Sequence, residues 1–317
     1  IGGGLACWGL NATGQLGDNS VIQRLVPTDV AGLAALGITS GGGTHTCALT
    51  VGGGIRCWGG NAMGQLGDGS VVSALAPLAP SGMAGGATAV AAGTNHSCAV
   101  VAGGGKCWGD NTYGQLGDGT QFQRLTPVDV SGLSGAVAIA AGVGGNHTCS
   151  IASGGAAMCW GRNVGGQLGD NSTTQRLTPV PVSGLGSGVA SIAAGFVHSC
   201  AVTATGGAKC WGSSTSGQVG DGSQLSTRVV PVDVTGLTSG VVAVTAGIEH
   251  SCAVTSGGGV KCWGFNSNGQ LGDGTVTMRL TAVNVSGLSS GITAITAGAA
   301  HTCALTAGGG VKCWGKN

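Results

Sequence analysis

The thirteen Cys and six His residues of this chain have the side chains best suited to bind metal or to do chemistry, and nearly all of them recur at fixed spacing. Each His begins a His-Thr-Cys or His-Ser-Cys triplet, and a second Cys follows nine or ten positions after the first. One His and two Cys are potential zinc ligands, but no fourth ligand recurs in the repeat. We therefore predict disulfides, with reduced core cysteines or a zinc site as the alternatives, and we expect no metal and no cofactor.

The spacing of the paired cysteines fits one β-hairpin for each pair. If the chain from Cys47 to Cys57 turns at Gly52, Leu49 lies opposite Ile55 and the two cysteines lie directly opposite each other. Cross-strand neighbours are close enough for a disulfide. Cys7 has no predicted partner. The predicted pairs are Cys47 with Cys57, Cys98 with Cys107, Cys149 with Cys159, Cys200 with Cys210, Cys252 with Cys262, and Cys303 with Cys313.

The histidines occupy one equivalent position in six repeats, which argues against a catalytic role. A catalytic centre needs a distinctive site, whereas a residue that recurs in every repeat more often holds neighbouring repeats together. No Ser-His-Asp group, carboxylate pair or phosphate-binding loop stands outside the repeat. We expect no catalytic residues and predict that the protein is not an enzyme. The histidines are His45, His96, His147, His198, His250 and His301.

The elements that position these residues repeat about every 51 residues. Seven Cys-Trp-Gly triplets contain Trp8, Trp58, Trp108, Trp160, Trp211, Trp263 and Trp314. Six are followed by Gly-Gln-Leu-Gly-Asp or its Val variant, and then by a short strand that usually contains Pro. Four short segments bounded by Gly, Pro, Asn or Asp in each repeat are typical of an all-β protein. Four antiparallel strands at this period predict one blade of a β-propeller.

These combined motifs resemble the regulator of chromosome condensation repeat, and the resemblance covers essentially the whole chain. It implies a seven-bladed propeller, and a six-bladed ring is the alternative. The chain departs from the usual pattern because Cys follows His-Thr/Ser and precedes Trp-Gly in nearly every copy, as in a secreted, bacterial-type version. The family also includes an exchange factor for a small GTPase and a secreted inhibitor of β-lactamases, so the resemblance implies a protein partner.

The repeats predict a single propeller domain with part-blades at both ends. Residues 1–35 form the N-terminal part-blade, 36–291 five complete repeats, and 292–317 the C-terminal part-blade. The last strand of the N-terminal unit could complete the C-terminal unit in a six-bladed ring, or the part-units could occupy separate blades. We hypothesise that Cys7 remains unpaired within the chain, or pairs with unseen sequence or another subunit.

Composition excludes several classes of partner. The chain has 68 Gly, 42% apolar residues, and 12 basic against 11 acidic side chains. No basic stripe suits nucleic acid, and no apolar run is long enough for membrane insertion. Dense disulfides indicate an extracellular or cell-surface location, with the periplasm as an alternative.

The functional prediction follows from a repeated fold without a catalytic site. We expect an extracellular, disulfide-stapled interaction scaffold, with contacts made by the variable residues between Gly-Gln-Leu-Gly-Asp and the Pro-containing strand. The alternatives are a self-assembling subunit of an extracellular filament or surface layer, and a secreted inhibitor of another protein. The partner is then another protein or the chain itself. Five glycosylation sequons begin at Asn11, Asn95, Asn146, Asn171 and Asn284.

Overall fold

The computed structural model describes residues 4–40, 43–223 and 225–317, and within them it contains 24 β-strands and no helix. The first two sheets contain β1 Gly4–Gly9, β2 Arg24–Ser40, β3 His45–Thr50, β4 Ile55–Gly59 and β5 Ala74–Leu78, then β6 Ala87–Ala92, β7 His96–Val101, β8 Gly104–Gly109 and β9 Arg124–Asp129. The next two contain β10 Ala136–Ala141, β11 His147–Ala152, β12 Ala157–Gly161 and β13 Arg176–Pro181, then β14 Val189–Ala194, β15 His198–Thr203, β16 Ala208–Ser213 and β17 Thr227–Asp233. The last two contain β18 Val241–Ala246, β19 His250–Thr255, β20 Val260–Gly264 and β21 Arg279–Asn284, then β22 Ile292–Ala297, β23 His301–Thr306 and β24 Val311–Gly315.

The strands form six antiparallel sheets, and the predicted all-β propeller architecture is confirmed. Four sheets have four strands in sequence order, the last has three, and the first has five. The first sheet is larger because β2 pairs with β1 through its first part and with β3 through its last part. Successive first strands of the blades contact one another, so they lie innermost around the axis.

The second and third strands of each blade form the hairpin that the sequence predicts. Cys47 lies opposite Cys57, and Leu49 lies opposite Ile55. The same cysteine register recurs in the other five hairpins. Val, Ile and Thr favour these strands because β-branched side chains suit a pleated surface, whereas Ala is small enough to fit where neighbouring sheets pack closely.

The hydrophobic core lies between blades rather than within one blade. In one cluster, Cys98 and Cys107 of one blade and Leu116 of the following loop pack with Trp160 of the next blade. The loop glycines allow this close approach: a Cβ atom on Gly67, whose φ is 73°, would lie 2.7 Å from Trp108 Cδ1. An L-residue is disfavoured there both by its positive φ and by the indole.

The two ends of the chain leave incomplete blades within the described residues. The strand that follows β1 stays paired with β1 and does not complete the last sheet, where β24 lies at the edge. The predicted N-terminal part-blade includes residues 1–3, which lie outside the described residues. No helix in the described part of the chain is long and apolar enough to cross a membrane.

Candidate protein-contact face

Each buried histidine binds a hydroxyl group of the next blade. His45 Nε2 lies 2.9 Å from Ser97 Oγ, and that hydroxyl donates to the carbonyl oxygen of Gln65 at 2.9 Å. The same carbonyl accepts the indole N–H of Trp108 at 2.8 Å. The arrangement recurs for the histidine–hydroxyl pairs His96–Thr148, His147–Ser199, His198–Ser251 and His250–Thr302.

This network keeps the histidines neutral. Since each hydroxyl donates to a carbonyl oxygen, it accepts the Nε2–H of the imidazole, which leaves Nδ1 unprotonated. Burial lowers the pKa of His45, His147 and His198 to about 3, and that of His96 and His250 to about 4. These imidazoles serve as hydrogen-bond donors between blades, and their geometry supports a structural role.

The Asp of each Gly-Gln-Leu-Gly-Asp motif organises its own loop. Asp273 accepts hydrogen bonds from Thr275 N at 3.0 Å, Asn266 Nδ2 at 3.1 Å and Arg279 Nε at 2.8 Å. Although burial opposes it, hydrogen bonds from Thr275 and Arg279 lower the pKa of Asp273 to about 2. The described residues contain no group of three or more His, Cys, Asp or Glu side chains arranged to hold a metal ion.

All six predicted cysteine pairs are bonded, with Cα atoms 4.0 to 4.1 Å apart. Five disulfides are fully buried, whereas Cys313 of the last hairpin is exposed. Cys7 has a free thiol, and burial together with the negative charge of Asp18 raises its pKa to about 11.

The sequon asparagines lie in three kinds of surroundings. Asn11 is fully buried and holds its loop through Leu16 N and Asp18 Oδ1. Asn95 and Asn146 are half-buried beside the structural histidines. Asn171 and Asn284 are exposed. Folding therefore leaves two of the five amides open to solvent.

Sequence positions whose residue type differs between repeats lie together at one end of the propeller. In the last six copies, the residue after Cys-Trp-Gly donates its backbone N–H to the carbonyl oxygen of the residue before the structural histidine of the same blade. Examples are Arg162 N to Asn146 O at 2.8 Å and Phe265 N to Glu249 O at 2.8 Å. Both positions joined by this bond vary between blades. We call each set of equivalent positions an inner column, and the two columns meet in every blade. We call this end the loop face, and define it by residues 94–95, 110, 113, 143–146, 162, 196–197, 213, 216, 248–249, 265, 299–300 and 316.

The centre of the loop face is apolar, and inner loops from several blades pack against one another there. A Cβ atom on Gly144 would lie 3.0 Å from Ile248 Cγ1 and 3.6 Å from Phe196 Cδ2, so this loop reaches side chains from the next two blades. Thr94 Oγ1 donates to Gly145 O at 3.1 Å and ties a third loop to it. The inner loops therefore form one continuous surface across blade boundaries.

Aromatic and charged side chains surround this centre. The Arg162 guanidinium lies 5.2 Å from the ring centroid of Tyr113. Ser216 Oγ donates to Glu249, the only Glu in the chain, at 3.4 Å. A cleft of about 330 Å³ lies beside Ile248, Glu249, Phe265 and Lys316. Apolar walls with a few charged groups are typical of a recognition site.

The loops that the sequence predicted as contact segments lie at the same end, farther from the axis. Their apolar side chains are exposed, including Ile22 at 61%, Val72 at 70% and Phe122 at 72%. These segments form a rim around the loop face. The recurring Arg side chains of the rim instead bind the loop Asp residues, as in Arg24 with Asp18 at 2.6 Å.

Sequence analysis missed the inner columns of the loop face. The sequence did contain a signal for them. When the repeats are aligned, a few positions vary between otherwise repeated motifs, and these positions hold Phe196, Ile248, Glu249 and Phe265. The alignment does not show that the two columns are in contact. They lie on loops about 15 residues apart in sequence, and only the fold brings these loops together.

Comparisons with known proteins identify the repeat. The pattern described as "Regulator of chromosome condensation (RCC1) repeat" matches residues 3–49, 53–100, 107–151, 155–202 and 209–254. A second pattern with the same description matches residues 38–65, 189–218, 241–270 and 292–317.

Named relatives share part of this sequence. The chain is 34% identical over 166 residues to the ultraviolet-B receptor UVR8 of Arabidopsis thaliana, covering 51% of this chain and 38% of the receptor. It is 35% identical over 155 residues to the E3 ubiquitin-protein ligase HERC2 of Homo sapiens, covering 48% of this chain and 3% of the ligase. The chain thus spans well under half the length of these relatives.

Solved structures share the fold over nearly the whole chain. Prp20p of Saccharomyces cerevisiae gives a TM-score of 0.83 at 22% identity, with 98% of this chain and 80% of that chain covered. Human WBSCR16 gives 0.85 at 21% identity, with 99% and 88% covered. Prp20p binds Gsp1p and histones.

Proposed function

Because this chain belongs to the regulator of chromosome condensation repeat family, we propose that it is a non-catalytic propeller that binds another protein through its loop face. The observation that carries this proposal is the convergence of non-repeated side chains at one end. Elsewhere the repeats keep the same residues for packing and hydrogen bonding. Residues that vary on a rigid scaffold are suited to recognition.

The composition of the loop face fits a protein partner. Phe196, Ile248 and Phe265 are half-buried apolar side chains, and Tyr113 and Arg162 lie on the same face. Aromatic residues and Arg contribute most of the binding free energy in many protein interfaces. The binding of Prp20p to Gsp1p and histones supports a protein partner of this general kind.

The same proposal places the protein outside the cell, at the cell surface or in the periplasm. Six disulfides in one chain support this location, since cytosolic thiols are normally kept reduced. A net charge of only +1 gives the chain little attraction for a phosphate backbone, so we propose no nucleic-acid partner.

Site-specific photo-cross-linking tests the proposed face. A photoreactive amino acid replaces Phe265 on the loop face or, as a matched control, the exposed Thr238 in a loop at the opposite end. Each variant is incubated with the extracellular fraction of the producing cells. We expect a defined protein adduct from position 265 that Phe196→Ser weakens. Equal adducts from both positions, or none from position 265, would contradict the proposal.

A second candidate function is self-assembly into a filament or surface layer, and exposed flanks favour it. Trp8 is 45% exposed at one flank, and Leu305 and Val311 are 40% and 54% exposed at the other. An open flank that meets a different flank of another copy makes a head-to-tail contact. Light scattering of the oxidised protein over a concentration series tests this candidate: growing particles support it, and a constant monomer mass rejects it.

A further inference from the structure

One of the six loop Asp residues lacks the arginine that binds the other five. In five loops, an Arg near the start of the following strand forms an ion pair with the loop Asp, in the pairs Arg24–Asp18, Arg124–Asp118, Arg176–Asp170, Arg228–Asp221 and Arg279–Asp273. The second repeat has Ala74 at this position. None of the ion pairs found among the described residues includes Asp68. This carboxylate therefore lacks the cation that its equivalents share.

The loops that contain Arg show how a guanidinium binds in this surrounding. In the fourth repeat, Arg176 Nε donates to Asp170 Oδ2 at 2.8 Å, and Arg176 Nη2 donates to Ser172 Oγ at 3.4 Å. The same two bonds recur for Arg24, Arg124 and Arg279. Two acceptors at a fixed separation suit the planar fork of a guanidinium, whereas a lysine ammonium is a single point charge.

The second loop keeps both acceptors in place without an Arg of its own. Asp68 Oδ1 accepts Asn61 Nδ2 at 3.2 Å and Ser70 N at 3.0 Å, as the Asp does in the loops that contain Arg. Among the hydrogen bonds of the described residues, Asp68 Oδ2 accepts only the Ser70 hydroxyl, at 2.9 Å, and Oδ1 shares that hydroxyl at 3.0 Å. Asp68 Oδ2 and Ser70 Oγ therefore stand where Nε and Nη2 bind in the other loops.

A group from outside the molecule can reach these two acceptors. In the other five loops, the Arg side chains are 16% to 38% exposed, so the guanidinium position lies near the surface. Ala74 has no side-chain atom beyond Cβ to cover that position, and Asp68 and Ser70 are half-buried. Val71 and Val72 of the same loop are 52% and 70% exposed, which adds apolar surface beside the carboxylate.

We propose that Asp68 and Ser70 form a binding site for an arginine side chain of the partner protein. One guanidinium nitrogen donates to Asp68 Oδ2 and a second to Ser70 Oγ. We call this pair of residues the arginine site. The proposal rests on the proposed function, because the site adjoins the rim around the loop face. An exposed ion pair contributes little by itself, but a two-point contact fixes the orientation of the bound side chain. The chain fills the equivalent position itself in five loops, so the second loop alone offers it to a partner.

Methylguanidinium chloride is the probe for the arginine site. The backbone amide of Ser70 reports binding, because its N–H donates to Asp68 Oδ1. NMR spectra of the whole, oxidised protein follow this amide while methylguanidinium replaces sodium at constant ionic strength. We expect a saturable shift, with a dissociation constant about threefold lower than that of methylammonium, because only the guanidinium offers two coplanar donors.

The other repeats supply matched variants. Ala74→Arg installs the residue of the other five loops and should abolish the Ser70 shift, and Asp68→Asn should do the same by removing the charge. Arg124→Ala vacates the third loop and should create a second site, which the amide of Thr120 reports. No saturable shift, equal affinities for the two cations, or a shift that persists in Ala74→Arg would overturn the arginine site.

The adduct cross-linked from position 265 tests whether the partner supplies the arginine. Ala74→Arg should weaken this adduct about threefold, because the chain's own guanidinium then occupies the site. Thr238→Arg, which adds the same charge at the opposite end, is the control and should leave the adduct unchanged. An adduct that Ala74→Arg does not weaken would overturn the partner's arginine. No adduct from the wild-type chain would contradict the proposed function alone, since methylguanidinium binding does not involve the loop face.

Discussion

At the residue scale, one hydroxyl joins a buried histidine to a backbone carbonyl at five blade boundaries. Ser251 Oγ lies 2.9 Å from His198 Nε2 and donates to Gln218 O at 3.0 Å. Trp263 Nε1 donates to the same carbonyl at 2.9 Å. Because both His198 and Ser251 are fully buried, neither can find water when the other is removed. Recurrence of this group explains why His, Ser or Thr, Gln and Trp repeat together in the sequence.

Ser251→Ala should lower the free energy of unfolding by about 1 to 3 kcal/mol, because it leaves the Nε2–H of His198 buried without an acceptor. Denaturant unfolding of the oxidised protein measures this loss. Ser256→Ala, in an exposed hairpin turn, serves as the control and should change stability by less than about 0.5 kcal/mol. Equal effects of the two substitutions would contradict the proposed importance of the hydroxyl.

Arg279→Met should raise the pKa of Asp273 from about 2 toward its ordinary value, because it removes a hydrogen bond from the guanidinium. Since the Arg279 side chain is 35% exposed, we expect a stability loss below about 1 kcal/mol at neutral pH. NMR titration of the carboxyl carbon measures the pKa. The second repeat has Ala74 at this position and still forms the loop, so an unfolded variant would be inconsistent with this interpretation.

At the element scale, the hairpin is the unit that each disulfide closes. The cysteines lie opposite each other across a turn, so one bond closes a loop of about ten residues and is worth about 2 to 3 kcal/mol by loop entropy. Five of these hairpins have a blade on each side. The sixth, β23 with β24, has one face open, and Cys313 is exposed there.

A mild reductant should open the Cys303–Cys313 disulfide before the other five, because thiol–disulfide exchange requires access to sulfur. Timed alkylation followed by peptide mapping identifies the first thiols to appear after Cys7. The buried pair Cys149–Cys159 is the internal control. Simultaneous release of all pairs would show that reduction follows unfolding of the whole chain rather than local exposure.

At the scale of the whole molecule, neutral buried histidines make stability depend on pH. In the unfolded chain, imidazoles take up protons below their ordinary pKa of 6.5, whereas the five buried ones stay neutral until about pH 3 to 4. Protons therefore favour the unfolded chain in this window. The loop Asp residues act at lower pH, since their stabilising charges are lost as the pH falls below their ordinary pKa of 3.8.

Thermal stability should therefore fall as the pH decreases from about 6.5 toward 4, before the carboxylates contribute. Calorimetry at pH 5 in buffers of different ionisation enthalpy should show net proton uptake on unfolding. His301 is exposed, so His301→Gln should change this uptake less than His147→Gln does. Stability that stays constant from pH 6.5 to 5, without proton uptake, would be inconsistent with neutral buried histidines.

The sequence by itself determined the repeat, the strand types, the cysteine register and the family. These features depend on neighbours close in the chain: Cys47 and Cys57 meet across one turn, and the short run of small apolar residues in β3 fits a strand that is buried on both faces. Local geometry limits such hairpins to few registers, so spacing alone predicts the partners.

The tertiary structure alone decided which residues meet between blades. His45 finds Ser97 52 positions away, and Gly144 approaches Ile248 104 positions away, because the blades pack around one axis. The loop face likewise arises from this packing. Periodicity places equivalent residues in equivalent positions, but the distances between them depend on how the sheets stack, and no local spacing encodes that stacking.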